Sequence, residues 1–212
     1  MKKWFVSAKR ADFTEIGKKF NITPMTARII RNRDVVGDEQ IRKFLYGTIA
    51  DFYSPWELSG MKEGISLLQQ AISEGKKIRV IGDYDIDGVC STYILLTGLK
   101  KVGANVDTVI PDRIKDGYGI NEHLIDGAEK DGVEVIVTCD NGIAAYQQIT
   151  YAKQLGMKVL VTDHHEVPYQ EEHGVRTFLL PDAEAVIDPK RVDCNYPFKG
   201  LCGAAVAYKL VE

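Results

Sequence analysis

Three aspartates at alternate positions, Asp83, Asp85 and Asp87, follow the apolar run Val80-Ile81 and stop at Gly88. The same residue type closes two more apolar runs: Asp140 after Val135–Cys139, and Asp163 after Val159–Thr162, with His164-His165 following at once. Carboxylates crowded within a few ångströms stay ionised only when positive charge compensates them. Carboxylates with imidazole suit a divalent ion, and the histidines move the preference from Mg²⁺ toward Mn²⁺. So many ligands predict two ions rather than one. Gly82, Gly88 and Gly142 beside them permit sharp strand-to-helix turns and close approach of a substrate to the backbone.

Each piece has a plainer account. Asp83 to Gly88 matches the opening of an EF-hand calcium loop, but Ile94 stands where that loop needs a glutamate, and a strand precedes it in place of a helix. Asp140-Asn141-Gly142 alone reads as a turn, and paired histidines alone as a cap or surface feature. Recurrence at three strand ends is what favours metal chemistry. Cys139 has no partner base and reads as a small buried residue. Arg113, after Ile110-Pro111-Asp112, suits bidentate phosphate binding; an ion pair with Asp112 or Asp116 is the competing account. Tyr118 reads as packing before base stacking, Lys199 as a solvated lysine, and Trp56 as packing.

The elements that must position these residues begin at Met61. An amphipathic helix is predicted from there to Gly75. Strands are predicted over residues 78–83, 106–112, 133–140, 157–163 and 183–189, and helices over 89–101, 121–130, 143–155 and 203–211. The alternation predicts an α/β fold, a parallel sheet flanked by helices. Near-continuous Val/Ile runs fit strands buried on both faces. Neighbouring strands would bring Asp83, Asp85, Asp87, Asp140 and Asp163 to one rim, the ligand-binding edge of such sheets, with Asp188 placed to join it. Residues 1–60 read as a helical and irregular N-terminal extension, 61–212 as the catalytic-type domain. In the extension, Thr23-Pro24 starts one helix, with Met25, Ile29 and Ile30 as its apolar face, and Asp38-Glu39 starts another carrying Ile41, Phe44 and Leu45.

The 212 residues, 45% hydrophobic and 27% charged, are ordinary for a soluble globular chain, and the formal charge of −3 argues against a charge-driven nucleic-acid binder. No run approaches the length of a membrane span, and no apolar core follows the two N-terminal lysines, so neither membrane nor signal peptide is expected. Four cysteines without a CxxC pair read as reduced thiols, and the expected location is cytoplasmic.

At these residues the sequence resembles the DHH phosphoesterase superfamily, named for the triplet here Asp163-His164-His165, and within it the RecJ single-stranded-DNA exonucleases. The resemblance runs through residues 80–92, 110–121, 137–143, 161–168, 180–190 and 196–210, with Lys2-Lys3-Trp4 and residues 52–65 adding to it. It implies a Mn²⁺- or Mg²⁺-dependent phosphodiesterase that degrades single-stranded DNA from the 5′ end in recombination and repair, with a helicase or single-strand-binding protein as partners. Carried over, Asp85 and Asp87 are metal ligands and Asp83 a ligand or supporting acid. Asp140 bridges two ions, His164 is a ligand, His165 meets metal or the scissile phosphate, and Asp163 orients the pair. Alternatives within the superfamily are oligoribonucleotides, cyclic dinucleotides or pyrophosphate as substrate; outside enzymes, a non-catalytic subunit keeping the fold. The family's last metal-binding aspartate lies downstream of residues 200–210, and Asp188 is no obvious substitute. The chain is therefore expected to be an N-terminal fragment with weak or absent nuclease activity.

Overall fold

The computed structural model describes Lys3 and residues 9–212, so Lys2 and Trp4 of the N-terminal resemblance lie outside the described residues. The chain forms two compact units, Met1–Phe52 and Tyr53–Glu212.

The first unit holds helices α1 (Phe13–Phe20), α2 (Pro24–Asn32) and α3 (Asp38–Tyr46), then a 3₁₀ turn at Ile49–Asp51. Each of the first two starts on a side-chain cap: Asp12 accepts from the Glu15 amide at 2.8 Å, and Thr23 from the Thr26 amide at 3.1 Å. Their core is Phe20, Ala27, Ile30 and Ile41. The buried stripe of α2 is thus Ala27 and Ile30; Met25 and Ile29, predicted with Ile30, are exposed, as is Phe44 on α3.

The second unit opens with a 3₁₀ turn, Pro55–Glu57, and α4 (Met61–Ser73), and then alternates strand and helix. Its elements are β1 (Lys77–Ile81), α5 (Ile86–Lys101), β2 (Asn105–Val109), α6 (Glu122–Lys130), β3 (Val135–Cys139), α7 (Tyr146–Gln154), β4 (Lys158–Thr162), the hairpin β5 (Tyr169–Glu172) and β6 (Val175–Phe178), β7 (Ala185–Ile187) and α8 (Gly203–Val211). Five strands form one sheet in the order β2-β1-β3-β4-β7, every pair parallel. The α/β reading holds. Trp56 is 56% exposed, so its expected packing role is not what the structure shows.

Two cores explain the unbroken apolar runs. Ile78, Val80, Val135, Val137, Cys139, Leu160 and Ile187 pack on one face with residues of α4, α5 and α8. Ile81, Ile136, Val159, Val161 and Val186 pack on the other with residues of α6 and α7. Alternate residues of β3 and β4 therefore enter opposite cores, and every residue of β3 is buried. The hairpin β5–β6 lies outside the strands expected from sequence: every residue of both is exposed, so no apolar alternation marks it.

The register decides where the acids fall. Ile81 pairs with Thr138, and Cys139 with Thr162. Strands β1, β3 and β4 thus end side by side at the same level, and the residues after them share one rim.

Candidate metal centre at the strand ends

The β1–α5 turn is built by two close approaches. A Cβ on Gly82 would lie 2.0 Å from Thr92 Oγ1, and one on Gly88 would lie 2.5 Å from the Asp83 carbonyl. Only glycine lets α5 start directly over the strand end. Asp85 caps that helix, its Oδ1 accepting from the amides of Asp87 at 2.8 Å and Gly88 at 2.9 Å. Asp87 reaches across to α8, accepting from Gly203 N at 2.7 Å and Ala204 N at 2.8 Å. The N-terminus of α8 thereby stabilises this carboxylate. Asp83 is fully buried; its Oδ1 is 3.4 Å from the Gly119 amide, and its Oδ2 has no hydrogen-bond partner among the described residues.

Asp140, after β3, has a left-handed backbone with φ 62°, a conformation that costs a non-glycine residue energy and turns its side chain into the rim. Its amide donates to the Thr162 carbonyl at 3.1 Å. Asn141 ties β1 and β3 together, donating to the carbonyls of Ile81 at 3.1 Å and Cys139 at 2.9 Å. After β4, Asp163 lies beneath the histidines. Its Oδ2 accepts from Ile143 N at 2.9 Å; its Oδ1 accepts from His164 N at 2.7 Å and meets His165 Nδ1 at 2.7 Å.

Two groups of potential ligand atoms result, each within 4.8 Å: Asp83, Asp85 and Asp140, and Asp140, His164 and His165. Asp140 belongs to both. His164 Nε2 lies 2.9 Å from Asp140 Oδ1, without hydrogen-bond geometry, and 3.4 Å from Asp87 Oδ2. The buried Asp83 Oδ2 and Asp140 Oδ1 are the kind of orphaned oxygens that a cation satisfies.

The electrostatics follow the same geometry. Burial, reinforced by Asp87 and Asp85, pushes the Asp140 carboxyl up to about 7. Burial also raises Asp163, but the hydrogen bonds from His165, Ile143 and His164 outweigh it and hold the carboxyl below its ordinary range. His165 is raised, chiefly by its bond to Asp163; His164 is lowered, chiefly by burial and then by His165. Two adjacent imidazoles therefore differ in basicity.

The remaining sequence candidates take varied places. Asp188, at the end of β7, is fully buried; its Oδ1 accepts from Lys190 N at 2.7 Å, its Oδ2 has no hydrogen-bond partner among the described residues, and burial followed by the charge of Asp163 pushes it up to about 7. Arg113 stands over the Tyr84 ring, 5.2 Å from its centre. Among the described residues it has no ion pair with Asp112 or Asp116, which instead cap their own turn. Lys199 donates to the Cys194 carbonyl at 2.5 Å. Cys139 is buried with its thiol pushed up to about 12, mainly by burial, which suits an inert packing residue. Tyr118, read from sequence as packing, is half exposed and donates its hydroxyl to the Asp140 carbonyl at 2.8 Å. Its place between Gly117 and Gly119 was the available signal. A cavity of about 380 Å³ beside His165 is lined by Tyr118, Gly142, Ile143, Gln148 and Glu166. The larger one, about 560 Å³ beside Trp56 and Arg191, includes none of the clustered acids.

Residues 77–212 match the model of the DHH family, N-terminal domain. The chain belongs to the DHH family. Over 195 residues it is 45% identical to the single-stranded-DNA-specific exonuclease RecJ of Bacillus subtilis (strain 168), covering 92% of this chain and 24% of that protein. Against RecJ of Escherichia coli (strain K12) it is 36% identical over 192 residues, 90% of this chain and 31% of that one. The chain thus spans about a quarter to a third of the length of these curated relatives. Among solved structures, exonuclease RecJ bound to manganese superposes with a TM-score of 0.64 at 32% identity, covering 76% of this chain and 38% of that one. RecJ of Thermus thermophilus in complex with Mn²⁺ gives 0.64 at 27% identity, covering 94% and 26%.

Proposed function

We propose that this chain carries the metal-binding centre of a phosphodiesterase that shortens single-stranded DNA from its 5′ end, as a RecJ-type exonuclease. The observation that carries this is Asp140, shared by both ligand groups, buried, and with Oδ1 lacking a hydrogen-bond partner among the described residues. In this reading Asp83, Asp85 and Asp140 would hold one divalent ion, and Asp140 with His164 would hold a second, with Asp87 beside His164. The donor set suits Mn²⁺ or Mg²⁺. When bound, the ions supply an activated water and charge stabilisation for the phosphoryl oxygens.

The chain's own groups do the rest. Asp163 fixes the histidine pair from below through the bonds already described. His165 offers a hydrogen bond to the phosphate, and Arg113, raised over Tyr84, offers a second contact to the backbone of the strand. A single-stranded substrate calls for a helicase or a single-strand-binding protein as partner, and a chromosomal one for a cytoplasmic location. No described helix is long and apolar enough to cross a membrane.

Anomalous scattering from crystals soaked in Mn²⁺ tests the reading. Ions at Asp140 support it; density elsewhere, or none, refutes it. Chelator-sensitive release of mononucleotides from 5′-phosphorylated single-stranded DNA would support the substrate assignment. Cleavage of pyrophosphate or dinucleotides alone would move the chain to another branch of the family.

A further inference from the structure

Charge is unevenly spread along this chain. Residues 1–52, the first compact unit, hold 11 of its 27 lysines and arginines but only 6 of its 30 aspartates and glutamates. That is a formal charge of +5 in a chain whose total is −3. The same unit has the plan of a helix-turn-helix. α1 ends at Phe20, α2 begins at Pro24, and three residues join them. Asn21 is left-handed, with φ 54°, and its amide donates to the Gly17 carbonyl, as does that of Ile22 at 3.0 Å. The turn folds back so closely that a Cβ on Gly17 would lie 2.8 Å from the Ile22 carbonyl oxygen. The inward residues of α2, Ala27 and Ile30, are buried.

The opposite stripe of α2 is Met25, Arg28, Ile29 and Asn32, at helical spacings of three, four and seven. All four are exposed, Met25 by 66% and Ile29 by 45%. Two large apolar side chains beside a guanidinium and a carboxamide are not the composition of a merely solvated face. They are the types that read base edges in a major groove: guanidinium for guanine, carboxamide for adenine, apolar groups for the thymine methyl. Lys9 and Arg31 lie against Asp34, and Lys19 against Asp38. Arg28 and Arg33 have no acidic partner among the described residues; Arg28 lies over the Phe13 ring, 4.7 Å from its centre, and Arg33 donates to the Ile29 carbonyl at 3.3 Å. Their charge is left for an anion.

We propose that the first unit docks on duplex DNA, with α2 in the major groove, its stripe on the base edges and Arg33 on a phosphate. The positive charge calls for a polyanion, and the single projecting helix calls for a groove of matching width, which a duplex has and a single strand lacks. The metal centre takes no part, so the proposal stands or falls apart from the phosphodiesterase reading.

The test uses the 212-residue chain in chelator, so that no strand is cut. Anisotropy of a labelled, mixed-sequence duplex of about 20 base pairs at about 50 mM salt is expected to give a Kd on the order of 1–10 μM that weakens steeply with salt. Arg28→Ala and Ile29→Glu are each expected to weaken binding about tenfold. Lys62→Ala, which removes an exposed charge from the second unit, should leave it unchanged. Ile29 is exposed, so its variant keeps the helix core. Wild-type ¹H–¹⁵N spectra need no variant: added duplex should shift the amides of residues 23–33. Shifts confined to residues 53–212 overturn the proposal. So do failure to bind the duplex, duplex affinity unmoved by I29E, and preference for the single strand of the same sequence.

Discussion

Gly203, the first residue of α8, is the point where the helix meets the acids. A Cβ there would lie 2.6 Å from Asp140 Oδ1 and 2.8 Å from Asp140 Cβ and Cγ. The obstacle is a short side chain that is itself buried, so it has little room to yield. Gly203→Ala therefore forces either Asp140 or the start of α8 to move. Overpacking of this kind costs about 1–3 kcal/mol. If α8 withdraws, the amides of Gly203 and Ala204 leave the Asp87 carboxylate, adding about 1.5–3 kcal/mol for hydrogen bonds to a charged group. The expected loss is about 1–3 kcal/mol if Asp140 yields and about 2.5–6 kcal/mol if α8 withdraws, and it should come with weaker Mn²⁺ uptake, because both ligand groups include Asp140. Gly127→Ala is the matched control. It lies inside α6 with no described residue within 4 Å of the new Cβ, and should stabilise by up to about 1 kcal/mol through helix propensity alone. Urea unfolding with chelator, followed by far-UV circular dichroism, reads both variants, and calorimetric Mn²⁺ titration reads the site. If G203A is as stable as the wild type and binds Mn²⁺ equally, the close seating of α8 on Asp140 is wrong.

Asp140→Ala should abolish uptake of two Mn²⁺ ions in calorimetric titration, and two ions still bound would rule out the shared ligand; in the wild type, ion at about a hundredfold its Kd should add about 2.7 kcal/mol of stability per site. Asp188 has a folded-state carboxyl raised from 3.8 to about 7, so the stability it contributes is fully present below pH 3.8 and lost as pH rises through about 7. That loss amounts to about 4 kcal/mol at most. Asp188→Asn should therefore match the wild type near pH 4 and exceed it near pH 8 in chelator-containing urea titrations, and an unchanged difference across that range would contradict the burial argument. Asn141→Ala removes donors to two buried strand-end carbonyls and should cost about 2–4 kcal/mol in the same assay.

Much of this molecule is legible in local pattern. The apolar runs end where the strands end, the acids follow them, and Thr23 and the Met61 helix lie where capping and periodicity put them. These features depend on neighbours a few residues away, and sequence carries such neighbours directly. Other features depend on which distant segments meet. The strand order sets β1 between β2 and β3, and only that order brings Asp83 and Asp85 to Asp140. The partner of Asp87 is a helix end 116 residues downstream. Tyr118 becomes a hydrogen-bond donor to the site because a loop folds back onto Asp140, and Trp56 stays exposed where local composition suggested packing. The hairpin after the histidine pair is exposed throughout and so leaves no period to read. Residue type and spacing thus determined that acids and imidazoles stand at strand ends; the packing of the sheet and of α8, a sum of long-range contacts with no local signature, decided which of them come within 4.8 Å of one another.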